Sequence, residues 1–229
     1  MFATTNNTLI PLAIGSVAYF ILHSLLASLR VKGFVQQRFP TALPAYRLLF
    51  NLLSIILLLP LLWLVHHDPG PLLWAWQGPW RGLAIALSVL ALGGFIWASR
   101  AYDMSVFIGL HQWRERHQTT ENPEALHISS FHRFVRHPWY FLILLILWSW
   151  DQYLNQTVFY ALATAYLIIG SRLEERKLVH QYGDVYRRYQ RKVPGLIPLP
   201  WRWLRSNEAK ELVRQAAEKK SNRHNEIYP

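Results

Sequence analysis

Three long runs of apolar residues constrain the fold of this 229-residue chain more than any other feature of its sequence. They cover residues 9–29, 46–65 and 82–99, and each contains at most one Lys, Arg, Asp or Glu. A helix of roughly 17–25 apolar residues crosses the ~30 Å hydrocarbon core of a bilayer. A soluble chain of this length would have too little polar surface to cover three such helices. The runs therefore predict membrane-spanning helices.

Composition and charge support the same class. Hydrophobic residues make up 52% of the chain and charged residues 16%, whereas a soluble domain usually has roughly a quarter of its residues charged. The net charge of +11 comes from basic residues between and after the apolar runs. This pattern suits membrane lipid as a partner and argues against nucleic acid. The absence of cysteine excludes a disulfide, a cysteine-ligated metal and a cysteine nucleophile.

Two further apolar runs, 139–150 and 157–170, are each short for a full crossing unless flanking residues are included. They predict a helical hairpin that spans together or dips partway into the bilayer. The sequence therefore predicts an all-α polytopic membrane protein of about five transmembrane helices. We expect one transmembrane domain over residues 1–205 and a basic, helical cytoplasmic tail over 206–229.

The segments between the apolar runs predict an orientation. Residues 30–47, residues 100–136 and the chain after residue 171 are basic, whereas residues 66–81 are close to neutral. Basic loops are retained on the cytoplasmic side of a membrane. The sequence therefore predicts a multi-pass protein of a bacterial inner membrane, with its N-terminus outside and its C-terminus in the cytoplasm.

The first chemical motif is Arg136-His137-Pro138-Trp139-Tyr140, at the start of the fourth apolar run. At a membrane boundary an Arg can extend its charge to the interface, and Trp and Tyr can form an aromatic belt. Pro138 suits the first turn of a helix because it lacks only an N–H that would be unpaired there. His137 would then lie at the helix N-terminus, where free backbone donors attract anionic groups.

The second motif is the adjacent pair Glu174 and Glu175, which follows the fifth apolar run. Two carboxylates at a membrane boundary are costly unless they are paired or hydrogen-bonded. They are interpreted either as partners in a salt bridge to Arg136 or Arg172, or as a recognition pair for a cation or for sugar hydroxyls.

The third motif is a tyrosine series, Tyr182, Tyr186 and Tyr189, followed by Val-Pro and Ile-Pro pairs within residues 193–198. The spacing predicts that the three tyrosines share one helical face. Such a face is either interfacial or suited to a sulfonium or ammonium cation.

In this order, over residues 133–198, the motifs resemble the C-terminal cofactor-binding half of the isoprenylcysteine carboxyl methyltransferase and phospholipid methyltransferase superfamily. Residues 23–28 (His-Ser-Leu-Leu-Ala-Ser) and 46–51 (Tyr-Arg-Leu-Leu-Phe-Asn) are similar to its NnrU-like branch, which includes methanethiol S-methyltransferases. One departure is the bulky run of residues 139–142, where relatives often have a small residue soon after the Tyr.

The resemblance implies S-adenosylmethionine as the methyl donor, bound in a pocket that faces the cytoplasm. The residues that it assigns to donor binding are His137, Pro138, Tyr140, Glu174, Glu175, Tyr182, Tyr186 and Tyr189. Which of them contacts which part of the donor is not implied.

Methyl transfer from a sulfonium is an in-line displacement, so the protein mainly positions the reactants and excludes water. A carboxylate acceptor needs only a cation beside it, such as Arg133 or Arg136. A thiol acceptor must first become a thiolate, for which His111, His132 and His137 are candidate bases. We assign catalysis to His137 and Arg136, acceptor binding to His111, Gln112 and Arg133, and no residue to a metal.

The function predicted from the sequence is S-methylation of a small thiol such as methanethiol. Carboxyl methylation of a prenylated cysteine and N-methylation of a phospholipid are alternatives with the same donor site and a lipophilic acceptor. Two alternatives belong to other classes. One is a di-iron oxidase, for which the histidine clusters are absent from the sequence. The other is a non-catalytic haem or assembly protein that uses His23 within the first apolar run.

Overall fold

The structure is a computed structural model that describes residues 7–100, 103–115 and 126–227, with side chains up to residue 219. The helices in the first part of the chain are α1 (Leu9–Leu26), α2 (Leu29–Arg38), α3 (Leu43–His67), α4 (Pro79–Ser99), α5 (Met104–Ile108) and α6 (Leu110–Glu115). Those in the second part are α7 (Pro138–Trp148), α8 (Leu154–Tyr182), α9 (Asp184–Lys192) and α10 (Ser206–Ile227). Short 3-10 helices occur at Pro40–Ala42 and Phe131–Arg133, and two short strands, β1 (Leu72–Trp74) and β2 (Gln152–Tyr153), pair antiparallel.

Among the residues that the structure describes, three helical segments are long and apolar enough to cross a membrane, by length and composition. They are α1, α3 together with the 3-10 turn before it (Pro40–His67), and α4. Large apolar side chains such as Ile10, Ile14 and Leu90 are well exposed on the surfaces of α1 and α4, as suits helices whose solvent is lipid. The prediction of an all-α membrane protein is confirmed.

The two later apolar runs form helices of very different length. Helix α7 has 11 residues, which is ~16 Å at 1.5 Å per residue. Helix α8 has 29 residues, which is ~43 Å, because it includes residues that flank the apolar run 157–170 on both sides. It continues beyond the apolar run because the residues around Glu174 and Glu175 are mostly strong helix formers such as Leu, Glu, Arg and Lys.

The described residues form two compact units. The first is drawn from Met1–Ser88, Tyr102–Thr120 and Leu147–Tyr166, and the second from Val89–Ala101, Glu121–Ile146 and Leu167–Pro229. The predicted division into a domain over 1–205 and a tail over 206–229 is a different partition and stays a prediction.

The first unit has an apolar core in which Leu12, Leu61, Val65, Phe159 and Tyr160 are buried. A polar connection accompanies this core. The Asn155 side chain is fully buried and donates to the Thr8 hydroxyl (2.9 Å) and the Asp68 carbonyl (2.6 Å). These bonds satisfy a buried amide that would otherwise destabilise the fold, and they fix the start of α8 to the end of α3.

The second unit is centred on α9. Its inner face, with Val185, Tyr186 and Tyr189, packs against Leu212 and Ala216 of α10. A charged helix beginning at Ser206 is confirmed. The regular spacing of its small and apolar residues explains why this helix has one buried face.

The tyrosine series does not lie on one continuous helix, which corrects the prediction of a single helical face. Helix α8 ends at Tyr182, and α9 begins at Asp184. Between them Gly183 has φ 57°, a conformation that favours glycine and interrupts the helix. The three rings nevertheless lie in one buried cluster.

Candidate active site

The first motif is placed at the start of α7, as predicted. Pro138 is the first residue of the helix, and the carbonyl of His137 accepts from the N–H of Phe141 (3.1 Å). His137 is therefore the residue at which the helix is capped. Its ring is almost fully buried and stacks on the ring of Tyr140, with centroids 5.3 Å apart and 8° between the planes.

The Glu175 carboxylate joins three side chains from different parts of the second unit. Its Oε1 accepts from Nε and Nη2 of Arg136, at 2.7 Å each, and lies 3.1 Å from Nε2 of His137. Its Oε2 accepts from Nε2 of Gln190 (2.8 Å). The salt bridge to Arg136 that the sequence offered as one interpretation of the acidic pair is therefore formed by Glu175.

Glu175 is held in its charged form. Burial by itself would raise the pKa of this carboxyl, but hydrogen bonds from His137 and Arg136, the Arg136 charge and the Gln190 amide outweigh it. Together they lower the pKa to about 2. Both oxygens have donors, so this carboxylate acts as a fixed anion that orients Arg136 and His137.

Arg136 also fixes the segment that follows α9. Its Nη1 donates to the carbonyls of Gln190 (3.0 Å) and Val193. The backbone N–H groups of Arg136 and His137 donate to the carbonyls of Pro194 (2.9 Å) and Gly195 (3.0 Å). A side chain at Gly195 would lie 3.3 Å from Nη2 of Arg136, so the close approach of the two segments favours glycine there.

The two adjacent glutamates differ in their surroundings. The Glu175 side chain is 14% exposed, whereas the Glu174 side chain is 52% exposed. Oε2 of Glu174 lies 3.6 Å from Nδ1 of His137. The site therefore has a buried carboxylate that organises it and a half-exposed carboxylate beside the same histidine.

The sequence of the chain is similar to those of several proteins named methanethiol S-methyltransferase. A methanethiol S-methyltransferase from a Pseudomonas species is 34% identical over 152 residues, which cover 64% of this chain and 57% of the relative. Methanethiol S-methyltransferase 1 of Bradyrhizobium diazoefficiens is 29% identical over 80% of this chain and 64% of its own length. A methanethiol S-methyltransferase of Crocosphaera subtropica is 29% identical over 83% of this chain and 75% of its own.

The chain is a homologue of the methanethiol S-methyltransferases. The resemblance seen in its motifs is thereby confirmed for that branch. The chain spans about three-fifths of the length of the first two of these relatives, 57% and 64%. No family model matches the chain, and no solved structure matches it.

In this homologue of the methanethiol S-methyltransferases the tyrosine series is part of the core. Tyr182, Tyr186 and Tyr189 are buried, and the hydroxyl of Tyr189 donates to the carbonyl of His132 (2.6 Å). Burial, with the charge of Glu175, raises the pKa of Tyr186 above its ordinary value. The rings support α9, and their contact with a methyl donor stays a prediction.

The residues assigned to acceptor binding lie in two different units. Arg133 belongs to the second unit, where its Nε donates to the Leu204 carbonyl (2.9 Å). His111 and Gln112 belong to the first unit, on α6, where His111 lies 3.2 Å from Glu115 and Gln112 donates to the Val106 carbonyl (3.2 Å). Their role in acceptor binding stays a prediction.

Two histidine-based alternatives also map onto the structure. Within the described residues, no group of three or more His, Cys, Asp or Glu side chains is arranged to hold a metal ion. Nδ1 of His23 lies 2.7 Å from the hydroxyl of Tyr166, so this histidine is hydrogen-bonded within the first unit.

Gln190 is the residue of this cluster that the sequence motifs did not indicate. Its amide binds Glu175, and its carbonyl accepts from both Arg136 and Arg202. A weak signal exists in the sequence, because Gln190 is an uncharged polar residue next to Tyr189 in a helix otherwise rich in arginine. The orientation of the Gln190 side chain depends on how α9 packs, and the spacing of the motifs does not predict that packing.

The partly buried His132 predicts a loss of stability in mild acid. Burial, with the nearby His127 and His137, lowers the pKa of His132 to about 4 from an ordinary value of 6.5. Between pH 6.5 and 4 the His132 side chain is therefore protonated in the unfolded chain but neutral in the folded chain. The free energy of unfolding falls as the pH drops through this range. We expect the loss of folding free energy that is due to His132 to reach on the order of 2–3 kcal/mol.

The measurement is thermal unfolding of detergent-purified protein at pH 7 and pH 5. A His132→Gln variant should lose less stability between these pH values than the unsubstituted protein. Glu175 does not interfere, because its own contribution is lost only between the ordinary value of 4.5 and about 2. An identical loss in both proteins would contradict the assignment to His132.

Proposed function

We propose that this protein is an integral membrane methyltransferase that transfers a methyl group from S-adenosylmethionine to a small thiol such as methanethiol. The observation that carries the proposal is that the chain's relatives share the name methanethiol S-methyltransferase. The cluster of Arg136, His137 and Glu175 supports it, because it joins two motifs of that resemblance in one place.

The residues of the cluster fit such a donor. S-adenosylmethionine carries a sulfonium, an ammonium group and ribose hydroxyls, all of which suit a carboxylate acceptor or an aromatic ring. Glu174 offers a half-exposed carboxylate, and Tyr140 offers a partly buried ring beside His137. Glu175 is already engaged by three side chains. We therefore propose that Glu174, His137 and Tyr140 hold the donor, which when bound supplies an electrophilic methyl group.

His137 is the proposed proton acceptor for the thiol. With Nε2 donating to Glu175, a neutral imidazole has its lone pair on Nδ1, on the side of Glu174. This nitrogen would accept the thiol proton, and the two carboxylates would stabilise the resulting imidazolium. The thiolate sulfur is then the nucleophile, and burial of the ring keeps water from competing for the proton.

We further propose that the site faces the cytoplasm in a bacterial inner membrane. Support comes from charge: the segment after α1 carries Arg30, Lys32 and Arg38, and the segment around α9 carries several more arginines, with few acids in either. Basic segments of this kind stay on the cytoplasmic side. By the same rule the N-terminus lies outside.

Donor binding by Glu174 variants tests the proposal. Calorimetry on detergent-purified protein should detect S-adenosylmethionine binding that Glu174→Ala weakens by about 10- to 100-fold, because charge-assisted hydrogen bonds of ~1.5–3 kcal/mol are lost. The melting temperature should change little, since the side chain is half exposed. Glu218→Ala on α10, also more than half exposed, is the matched control and should bind normally.

Product analysis completes the test. Mass spectrometry should detect methylated methanethiol and no comparable methylation of prenylated cysteine or phospholipid. Folded protein that binds no S-adenosylmethionine would overturn the proposal, and so would methylation of a lipid acceptor in preference to the thiol.

A further inference from the structure

A cluster of exposed aromatic and aliphatic side chains lies beside the start of α7. Residues 196–203 form a proline-rich turn after the segment bound by Arg136, closed by a hydrogen bond from the N–H of Arg202 to the carbonyl of Leu199 (3.0 Å). Trp201 is 74% exposed and Ile197 is 65% exposed. Large apolar side chains exposed together in this way indicate an interaction surface.

Hydrogen bonds hold this turn close to the residues that precede α7. Arg133 and Leu204 are joined twice, through Leu204 N–H to Arg133 carbonyl and through Arg133 Nε to Leu204 carbonyl, at 2.9 Å each. The ring of Trp203 stacks on Phe134, with centroids 6.2 Å apart. Phe134 precedes Pro138, the first residue of the wholly apolar helix α7, by only four positions. The turn therefore lies at the level where α7 begins.

The turn is also rigidly supported. Nη2 of Arg202 donates to the carbonyls of Gln190 (2.9 Å) and Arg191 (2.7 Å) at the end of α9. Because the backbone is already fixed, the exposed rings lose little conformational entropy when they are buried by a partner.

Charge identifies the partner. The exposed side chains that flank the turn include Arg191 and Arg205, and the charges of the nearby Lys192 and Glu208 pair with each other, so the turn has a net positive surrounding. Tryptophan and arginine together at the end of an apolar helix are typical of the part of a protein that lies among the headgroups of an anionic leaflet. We propose that residues 196–203 insert into the headgroup region of the leaflet on the side of the candidate active site, with anionic lipid as the ligand.

The absence of cysteine in the sequence makes a direct test available. Trp201→Cys and Ile197→Cys each create a single thiol for an environment-sensitive fluorophore, and Lys210→Cys, an exposed position on α10, is the matched control. The labelled full-length proteins are placed in nanodiscs of phosphatidylcholine with or without phosphatidylglycerol. Quenching is measured with aqueous iodide and with a lipid that carries a spin label near its headgroup.

Insertion predicts a blue-shifted emission at 201 and 197, strong quenching by the spin-labelled lipid, and iodide quenching several-fold weaker than at 210. Phosphatidylglycerol should increase the difference in iodide quenching between positions 201 and 197 and position 210. Iodide access at 201 and 197 equal to that at 210 would overturn the proposal. Protection from iodide without quenching by the lipid would also overturn it, because it would indicate a protein partner. The result does not depend on methyl transfer.

Discussion

An Arg136→Met variant is expected to lose about 3–5 kcal/mol of folding free energy, because it leaves a buried carboxylate without its cation. Glu175 would retain His137 and Gln190 as partners, the carbonyl of Val193 would lose the Arg136 donor, and the carbonyl of Gln190 would keep Arg202 alone of its two arginine donors. The measurement is chemical denaturation of the detergent-purified protein followed by circular dichroism.

The matched control is Arg187→Met. Arg187 also pairs with a carboxylate, Asp184, but both side chains are exposed, so the change should stay within about 0.5 kcal/mol. The double variant Arg136→Met with Glu175→Gln should recover part of the loss, since the buried charge is gone. Equal destabilisation by the Arg136 and Arg187 substitutions would contradict the role of the buried pair.

Replacing His137 with Ala is expected to lower kcat for thiol methylation by about 10²- to 10⁴-fold, the usual contribution of a general base. The difference in kcat between the variant and the unsubstituted protein should shrink as the pH approaches the pKa of the thiol substrate, because the thiol is then deprotonated in solution. A purely structural role would not produce this pH dependence. Initial rates of product formation between pH 7 and pH 10 measure it.

An exposed histidine supplies the comparison. His66 lies exposed near the end of α3 and bonds to the Leu62 carbonyl of its own helix, so His66→Ala should retain activity at all pH values. If His137→Ala had the same pH profile as the unsubstituted protein, with only a lower amplitude, His137 would not be the base.

Much of the architecture could be predicted from the sequence, because apolar length and proline position are local properties. The start of α7 at Pro138 follows from the missing N–H of proline, and the pairing of Glu175 with Arg136 was one of two stated interpretations. The length of α8 does not follow from its apolar run alone, because a helix does not end where its apolar residues end. Its last turns are charged but are good helix formers.

The details of the candidate site were harder to predict because they depend on packing. Spacing alone put Tyr182, Tyr186 and Tyr189 on one helix, although Gly183 at φ 57° separates two helices. Adjacent glutamates look equivalent in a sequence, yet one is buried and the other half exposed. Gln190 was missed because its partner depends on the rotation of α9, which is set by contacts with α10.

The hydrogen bonds from Arg136 and His137 to the carbonyls of Val193, Pro194 and Gly195 have a consequence for the order of assembly. Ribosomes make the long apolar helices α1, α3 and α4 before the segment after α9, so these helices can enter the bilayer before Arg136 has these partners. Glu175 on α8 can already bind Nε and Nη2 of Arg136. Until the later segment is made, Nη1 and the motif's backbone donors must be satisfied by water or headgroups. Completion of the site is therefore a late event in the biogenesis of the protein, separate from insertion of its helices.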